Sequence, residues 1–328
     1  MNRPPTAATD PAPSAGPAEP PPERHVAVLG PGLLGGSIAL ALTERQPGVR
    51  VSLWGRRPAF IDELRHRSWP GLATTDLAEA VADASLVVLA TPVGVMPQLA
   101  GRLAETGLAA DALVTDVGSV KQPVVDQLTP LLADTGVGFV GSHPMAGSEQ
   151  TGIHAARADL FLGACCILTP SQTGAAAADD AVATDPARHA DPRLARLAAF
   201  WQGLGCRVEC RPPQRHDALM ARISHLPHLL AALLVNQAVE GAEGSDLTSA
   251  AGPGFRDTTR VAAGDAAMWT EILMENRHAL LPLLQGLHQR IGGTLEILER
   301  MDDVALRSAL EQARHWRRER FSFSNHHA

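Results

Sequence analysis

Residues 30–36 read Gly-Pro-Gly-Leu-Leu-Gly-Gly, directly after the apolar run 25–29 and directly before the helical pattern of 38–44. A G-x-G-x-x-G turn between a strand and a helix meets the structural condition for a dinucleotide fingerprint. Gly30 allows the tight turn, Gly32 lets the backbone approach a pyrophosphate, and Gly35 permits close packing of helix on strand. The amides of Leu33 and Leu34, opening the helix, supply an anion site. Strand and helix patterns continue to alternate, which predicts a mainly parallel sheet. Strands are expected over 50–54, 85–90, 112–117, 164–168 and 207–210, with helices over 60–67, 77–84 and 194–204 and another ending near Leu132. Thr91 closes the strand 85–90 beside the cofactor site.

The second strand runs into Gly55-Arg56-Arg57-Pro58. About 20 residues past the fingerprint, an NAD-binding domain usually offers a carboxylate to the ribose hydroxyls. None is present. Arg56 and Arg57 can instead pair bidentately with a 2'-phosphate, so NADP is expected in preference to NAD. Two exposed loop charges are the plain alternative; the missing acid is the stronger half of the evidence.

A second polar, glycine-punctuated run, residues 141–152, follows the apolar segment 137–140. A strand ending in such a run sets His143 at the carboxyl edge of the sheet, where open α/β folds hold ligands, and makes it the candidate catalytic base. Pro144 restricts His143 to extended backbone, while Gly141 and Gly147 leave room for a ligand. Ser119 stands where a helix N-cap belongs. Capping alone explains a serine there; its hydroxyl could also orient His143.

With 328 residues, 45% of them hydrophobic, the chain can bury a large core, and two domains are expected. Residues 1–22, rich in Pro and Ala, form a disordered tail, and 171–192 a flexible insertion. Beyond Pro213 helical periodicity dominates, over 216–242, 268–300 with possible breaks at Pro282 and Gly292-Gly293, and 304–320. The expected fold is therefore α/β, with an N-terminal Rossmann dinucleotide-binding domain over 23–212 and an all-helical dimerisation domain over 213–320, then a tail over 321–328. A net charge of -7 argues against nucleic acid as partner. No run approaches about 18 uninterrupted apolar residues and no signal-peptide core opens the chain, so no membrane partner and a cytoplasmic location are expected. The 4 cysteines lack zinc spacing. His225 and His228 lie on one helix face and would suit zinc, but no third ligand accompanies them, so no metal is expected.

Five motifs in order resemble the prephenate/arogenate dehydrogenase family. They are the glycine turn, Asp116-Val117-Gly118-Ser119-Val120-Lys121, Gly141-Ser142-His143-Pro144-Met145-Ala146-Gly147, Ser224-His225-Leu226-Pro227-His228, and Gly254-Phe255-Arg256-Asp257-Thr258-Thr259-Arg260 with Met268-Trp269 behind it. The resemblance implies a homodimeric tyrosine-pathway oxidoreductase that uses NAD or NADP to oxidise and decarboxylate a small acid, prephenate or arogenate. In it His143 accepts the hydroxyl proton, Ser119 hydrogen-bonds His143 and that hydroxyl, and Arg260 holds a carboxylate. His225, His228 and Trp269 line the pocket, and Glu149 lies near its mouth. Trp269 reads equally well as core. Competing readings are a dehydrogenase of amino-substituted prephenate in secondary metabolism, a hydroxy-acid dehydrogenase of similar layout, and a non-catalytic NADP-binding regulatory protein.

Overall fold

The computed structural model describes residues 23–147, 150–171, 185–186, 191–241, 247 and 249–320. The expected tails 1–22 and 321–328, Glu149 and most of the insertion at 171–192 lie outside the described residues. The chain divides into two compact units. One comprises residues 1–91, 95–118 and 125–212; the other takes in 92–94, 119–124 and 213–328.

In the first unit a six-stranded sheet is built from β1 (His25–Leu29), β2 (Arg50–Trp54), β3 (Leu72–Thr74), β4 (Leu86–Leu89), β5 (Leu113–Asp116) and β6 (Gly138–Phe139). Its order is β3-β2-β1-β4-β5-β6 and every pairing is parallel. This is the doubly wound order, in which the strand sequence reverses between β1 and β4 and ligands bind at the carboxyl ends flanking that switch. β1, β4 and β5 are buried at every position, as befits continuous apolar runs covered on both faces. The helices of this unit are α1 (Leu33–Arg45), α2 (Ala59–His66), α3 (Leu77–Val81), α4 (Met96–Glu105), α5 (Gln122–Ala133), whose first residues fall in the other unit, and α6 (Pro192–Gly203).

A second sheet follows, of β7 (Gly141–Pro144), β8 (Cys165–Thr169) and β9 (Arg207–Cys210) in that order, antiparallel between β7 and β8 and parallel between β8 and β9. Here the structure corrects the expectation of a loop at 141–152: His143 lies within a strand, opposite Ile167. The parallel sheet stops at Phe139, and the chain then pairs with a segment more than 20 residues further on, which no local pattern announces. Pro144 is tolerated because β7 is an edge strand. Trp201 of α6, fully buried, meets Phe161 and Phe200 edge-on at 5.6 and 5.2 Å and donates its indole N–H to Ser142 Oγ at 3.2 Å. A buried indole thus finds the acceptor it needs.

The second unit is helical among its described residues. It contains α7 (Pro213–Met220), a π-helical turn (Ala221–His225), α8 (Leu226–Val239), α9 (Pro253–Thr259), a 3-10 turn (Arg260–Ala263), α10 (Ala266–Glu275), α11 (Arg277–Glu299) and α12 (Asp303–Arg320). The predicted breaks at Pro282 and Gly292-Gly293 do not occur. α11 runs through both, and the interruption falls at Asn276 instead. α11 packs on α7, the π turn and α8, and such packing outweighs the propensity cost of these residues. The π turn has a local cause. Pro227 lacks an N–H and its ring crowds the carbonyl four residues earlier, so the helix widens just before it.

Candidate active site

At the carboxyl ends of β1 and β4 the glycine turn is held by the main chain. Gly30 donates its N–H to the Trp54 carbonyl at 2.9 Å and has a φ of +126°. A Cβ there would fall 2.2 Å from the Ala90 carbonyl oxygen, and one on Gly35 would fall 2.0 Å from the Gly30 oxygen. Both positions exclude any side chain. At Gly32 a Cβ would meet nothing within 4 Å. The turn is thus closed toward protein at Gly30 and Gly35 and open at Gly32. α1 begins after Gly32 with no side-chain cap and no acidic residue in its first turn, so the amides of Leu33 and Leu34 are left to an anion, while their side chains pack on the core. Thr91 Oγ1 is buried without a hydrogen-bond partner. A dinucleotide fits these residues: an open backbone approach, uncapped helix amides, and an orphaned hydroxyl at the switch point.

Arg56 and Arg57 are exposed beside this turn. Gly55 brings their loop against it, since a Cβ on Gly55 would fall 2.6 Å from Pro31 Cγ.

β7 alternates in function as in direction. Ser142 is tied inward: its N–H reaches Asp116 Oδ1 at 3.2 Å, its hydroxyl donates to the Asp116 carbonyl at 2.6 Å, and Thr115 Oγ1 lies 3.0 Å from its Oγ. Asp116 also accepts from the Gly118 N–H at 2.8 Å. This buried knot fixes the strand, and period two turns the neighbouring His143, 8% exposed, to the opposite face. Nothing local in the sequence marks Asp116 and Ser142 as partners.

Ser119 is not the N-cap of α5, which begins at Gln122. The amides of Lys121 and Gln122 donate instead to Asp217, at 2.7 Å to Oδ1 and 2.8 Å to Oδ2. His216 Nδ1 lies 2.7 Å from the same Oδ1. Burial above all pushes the Asp217 carboxyl up from its ordinary range, while the two main-chain amides and Lys121 pull it back. Sequence reading missed this cap because its donor and acceptor stand 96 positions apart.

Behind Asp217 the helical unit gathers three of the expected pocket residues. His228 stacks on Trp269 with ring centroids 3.5 Å apart and planes 13° from parallel; His225 meets Trp269 edge-on at 6.3 Å. Trp269 is half-buried. Gly264, which ends the Arg260 turn, leaves the space they occupy: a Cβ there would fall 2.6 Å from Trp269 Nε1 and 3.1 Å from His228 Cε1. Arg260 opens that turn, which packs on α8, and is exposed. His225 is fully buried, and burial drives its pKa down to about 4 against the pull of Asp217 and the Ser119 carbonyl. His228 is lowered by burial as well. His225 Nε2 and His228 Nδ1 are both buried with no hydrogen-bond partner. A buried polar group left unpaired costs about 1–3 kcal/mol, a cost that a polar ligand relieves. Among the described residues no three His, Cys, Asp or Glu side chains could together hold a metal ion.

A doubly wound sheet with an open glycine turn, followed by a helical unit carrying a histidine and tryptophan cluster, defines a nicotinamide-dinucleotide oxidoreductase of two-unit design. Residues 38–210 match the family described as prephenate dehydrogenase, nucleotide-binding domain, and residues 212–312 match prephenate dehydrogenase, dimerization domain. The chain belongs to the prephenate dehydrogenase family. It is 36% identical to the cyclohexadienyl dehydrogenase of Zymomonas mobilis over 265 residues, covering 80% of this chain and 84% of the relative. Its structure is similar to that of prephenate dehydrogenase from A. aeolicus in complex with hydroxyphenyl propionate and NAD+, with a TM-score of 0.77 and 28% identity over 90% of this chain and 98% of the other. Synechocystis arogenate dehydrogenase gives a TM-score of 0.70 at 30% identity, covering 90% and 99% of the two chains.

Proposed function

We propose that this NAD(P)-dependent enzyme oxidises and decarboxylates prephenate or arogenate, the step that forms the aromatic ring of the tyrosine skeleton. The observation that carries the reading is the cluster of buried His225 and His228 against Trp269, with its two orphaned ring nitrogens, in a chain whose two halves both match this family. When bound, the nicotinamide supplies the hydride acceptor. The hydroxyl on the carbon that loses hydride must shed a proton, and His143 accepts it; a neutral imidazole suits this near pH 7. Ser119 hydrogen-bonds the same hydroxyl. As the ring carboxylate leaves as carbon dioxide, its bonding pair moves through the ring to the oxygen, which takes back a proton and leaves a phenol. Arg260 anchors a substrate carboxylate, since a guanidinium keeps its charge and can offer two parallel hydrogen bonds. His225, His228 and Trp269 line the pocket, and Glu149 serves as a polar group at its mouth.

NADP is the preferred cofactor in this reading, supported by Arg56 and Arg57 beside the glycine turn and by the missing acid after β2. The enzyme acts as a homodimer in the cytoplasm. Its helix run Pro213–Val239 is long and apolar enough to cross a membrane by length and composition alone, with a mean hydropathy of 1.5. That run lies within the match to the dimerization domain and carries Asp217 and three histidines, so a second copy of the chain is the better partner for its apolar face.

Parallel assays with prephenate and arogenate, each with NAD+ and NADP+, test the activity; turnover of neither acid overturns it. In the His143→Asn variant, cofactor affinity stays within about twofold while kcat falls by about two to four orders of magnitude. Full activity in that variant removes His143 from the reaction.

A further inference from the structure

Asn276 stands between α10 and α11, 4% exposed. Its side-chain Nδ2 lies 2.8 Å from the Asp217 main-chain oxygen and 2.9 Å from His225 Nδ1. A carbonyl oxygen can only accept, so the nitrogen end of the amide must face it. That nitrogen has a second hydrogen, and it points at the ring. Nδ1 of His225 must then hold a lone pair, and the proton of the neutral imidazole sits on Nε2. The amide orientation fixes the tautomer.

Nε2 is the atom that lacks a partner. The ring is fully buried beside Trp269, and the titratable groups that face it are Asp217 from α7 and His228 from α8. The Ser119 carbonyl also favours a proton on the ring but forms no hydrogen bond of ordinary geometry with Nε2. The low pKa of His225 agrees with a ring that stays neutral at pH 7.

We propose that Asn276 is a positioning residue that holds His225 as the neutral Nε2–H tautomer, so that this N–H donates a hydrogen bond to a carboxylate or carbonyl oxygen of the bound substrate. The donor half of the proposal rests on the pocket role given to His225 above; the tautomer half stands without it. A neutral donor holds an anionic group without adding a second charge that titrates. Asn276 is absent from the five motifs because its partners lie 51 and 59 positions away.

The test is nitrogen NMR of the full-length protein labelled at its 13 histidines, with His225→Gln used to assign the resonances. In ligand-free protein His225 is expected as the Nε2–H tautomer, neutral at pH 7. Asn276→Asp offers Nδ1 an acceptor, so the ring is expected to shift its proton to Nδ1 or to become doubly protonated. A wild-type ring protonated on Nδ1, or one unchanged in Asn276→Asp, overturns the role of Asn276. Adding prephenate should then move the Nε2 resonance. The KM for prephenate should rise about tenfold in Asn276→Asp and in His225→Leu, and less in His225→Gln, whose amide nitrogen replaces the Nε2 donor. Prephenate turned over normally with Nε2 unmoved overturns the donor half alone. Prephenate not turned over by the wild-type enzyme overturns the proposed function, while the ligand-free spectrum still decides the tautomer.

Discussion

Arg56 and Arg57 owe their position to a glycine. Because Gly55 lets the end of β2 lie against Pro31, two guanidinium groups stand in the loop next to the anion-binding turn, where a carboxylate would repel a phosphate. Charge-assisted hydrogen bonds contribute roughly 1.5–3 kcal/mol each. Replacing both residues in Arg56→Ala/Arg57→Ala should therefore raise the KM for NADP+ by about tenfold or more and leave that for NAD+ within about twofold. Steady-state kinetics with the two cofactors reads this directly, and equal changes in both would sink the assignment. Not every residue of the site was as easy to read. The glycines and arginines lie in one short stretch whose spacing carries the chemistry. Asp217 and Asn276 act through main-chain groups far away in sequence, so neither has a local signature.

Among elements, the helix from α7 to α8 concentrates the most chemistry, with His216, Asp217, His225 and His228 all buried on it. Its acid response follows from His225 in the π turn and Asp217 before it, with His228, lowered by burial, acting in the same sense as His225. Folded His225 titrates at about 4 and an ordinary histidine at 6.5. As pH falls, the unfolded chain takes up this proton first, so stability is lost between pH 6.5 and about 4, on the order of 3 kcal/mol in all. Asp217 works the other way, because its raised pKa keeps a proton on the folded state that the unfolded state has released. A His225→Gln variant isolates the first effect: its Tm should fall less steeply than the wild type's between pH 6.5 and 4. Matching slopes would mean that the ring is not held neutral. β1 and β2 fall at the residues the sequence predicts, since each is an apolar run bounded by turn residues. β7 was hidden by its distant partner strand. β3 was hidden by its brevity, three residues at the margin of the sheet. The first turn of α5 was misread because a serine nearby looked like a sufficient cap.

For the molecule as a whole, the helical unit presents more apolar surface than one chain covers. Leu281, Ile291, Leu295 and Leu298 of α11 and Val304 and Leu310 of α12 are each more than half exposed, and large exposed apolar surface of this kind suits an interface. Leu295→Glu/Leu298→Glu in the full chain should shift the protein from dimer to monomer by light scattering. A dimer that survives would move the interface elsewhere. The division of the chain carries one more consequence. The helical unit includes residues 92–94 and 119–124, which come from the middle of the sheet-forming half, and Asp217 takes the amide hydrogens of Lys121 and Gln122 from that borrowed piece. A fragment cut at Pro213 would keep the acid and lose both amide donors, leaving His216 as its nearest hydrogen-bond partner. That cut falls where the family descriptions divide, yet residues 119–124, which the helical unit uses, lie inside the nucleotide-binding match.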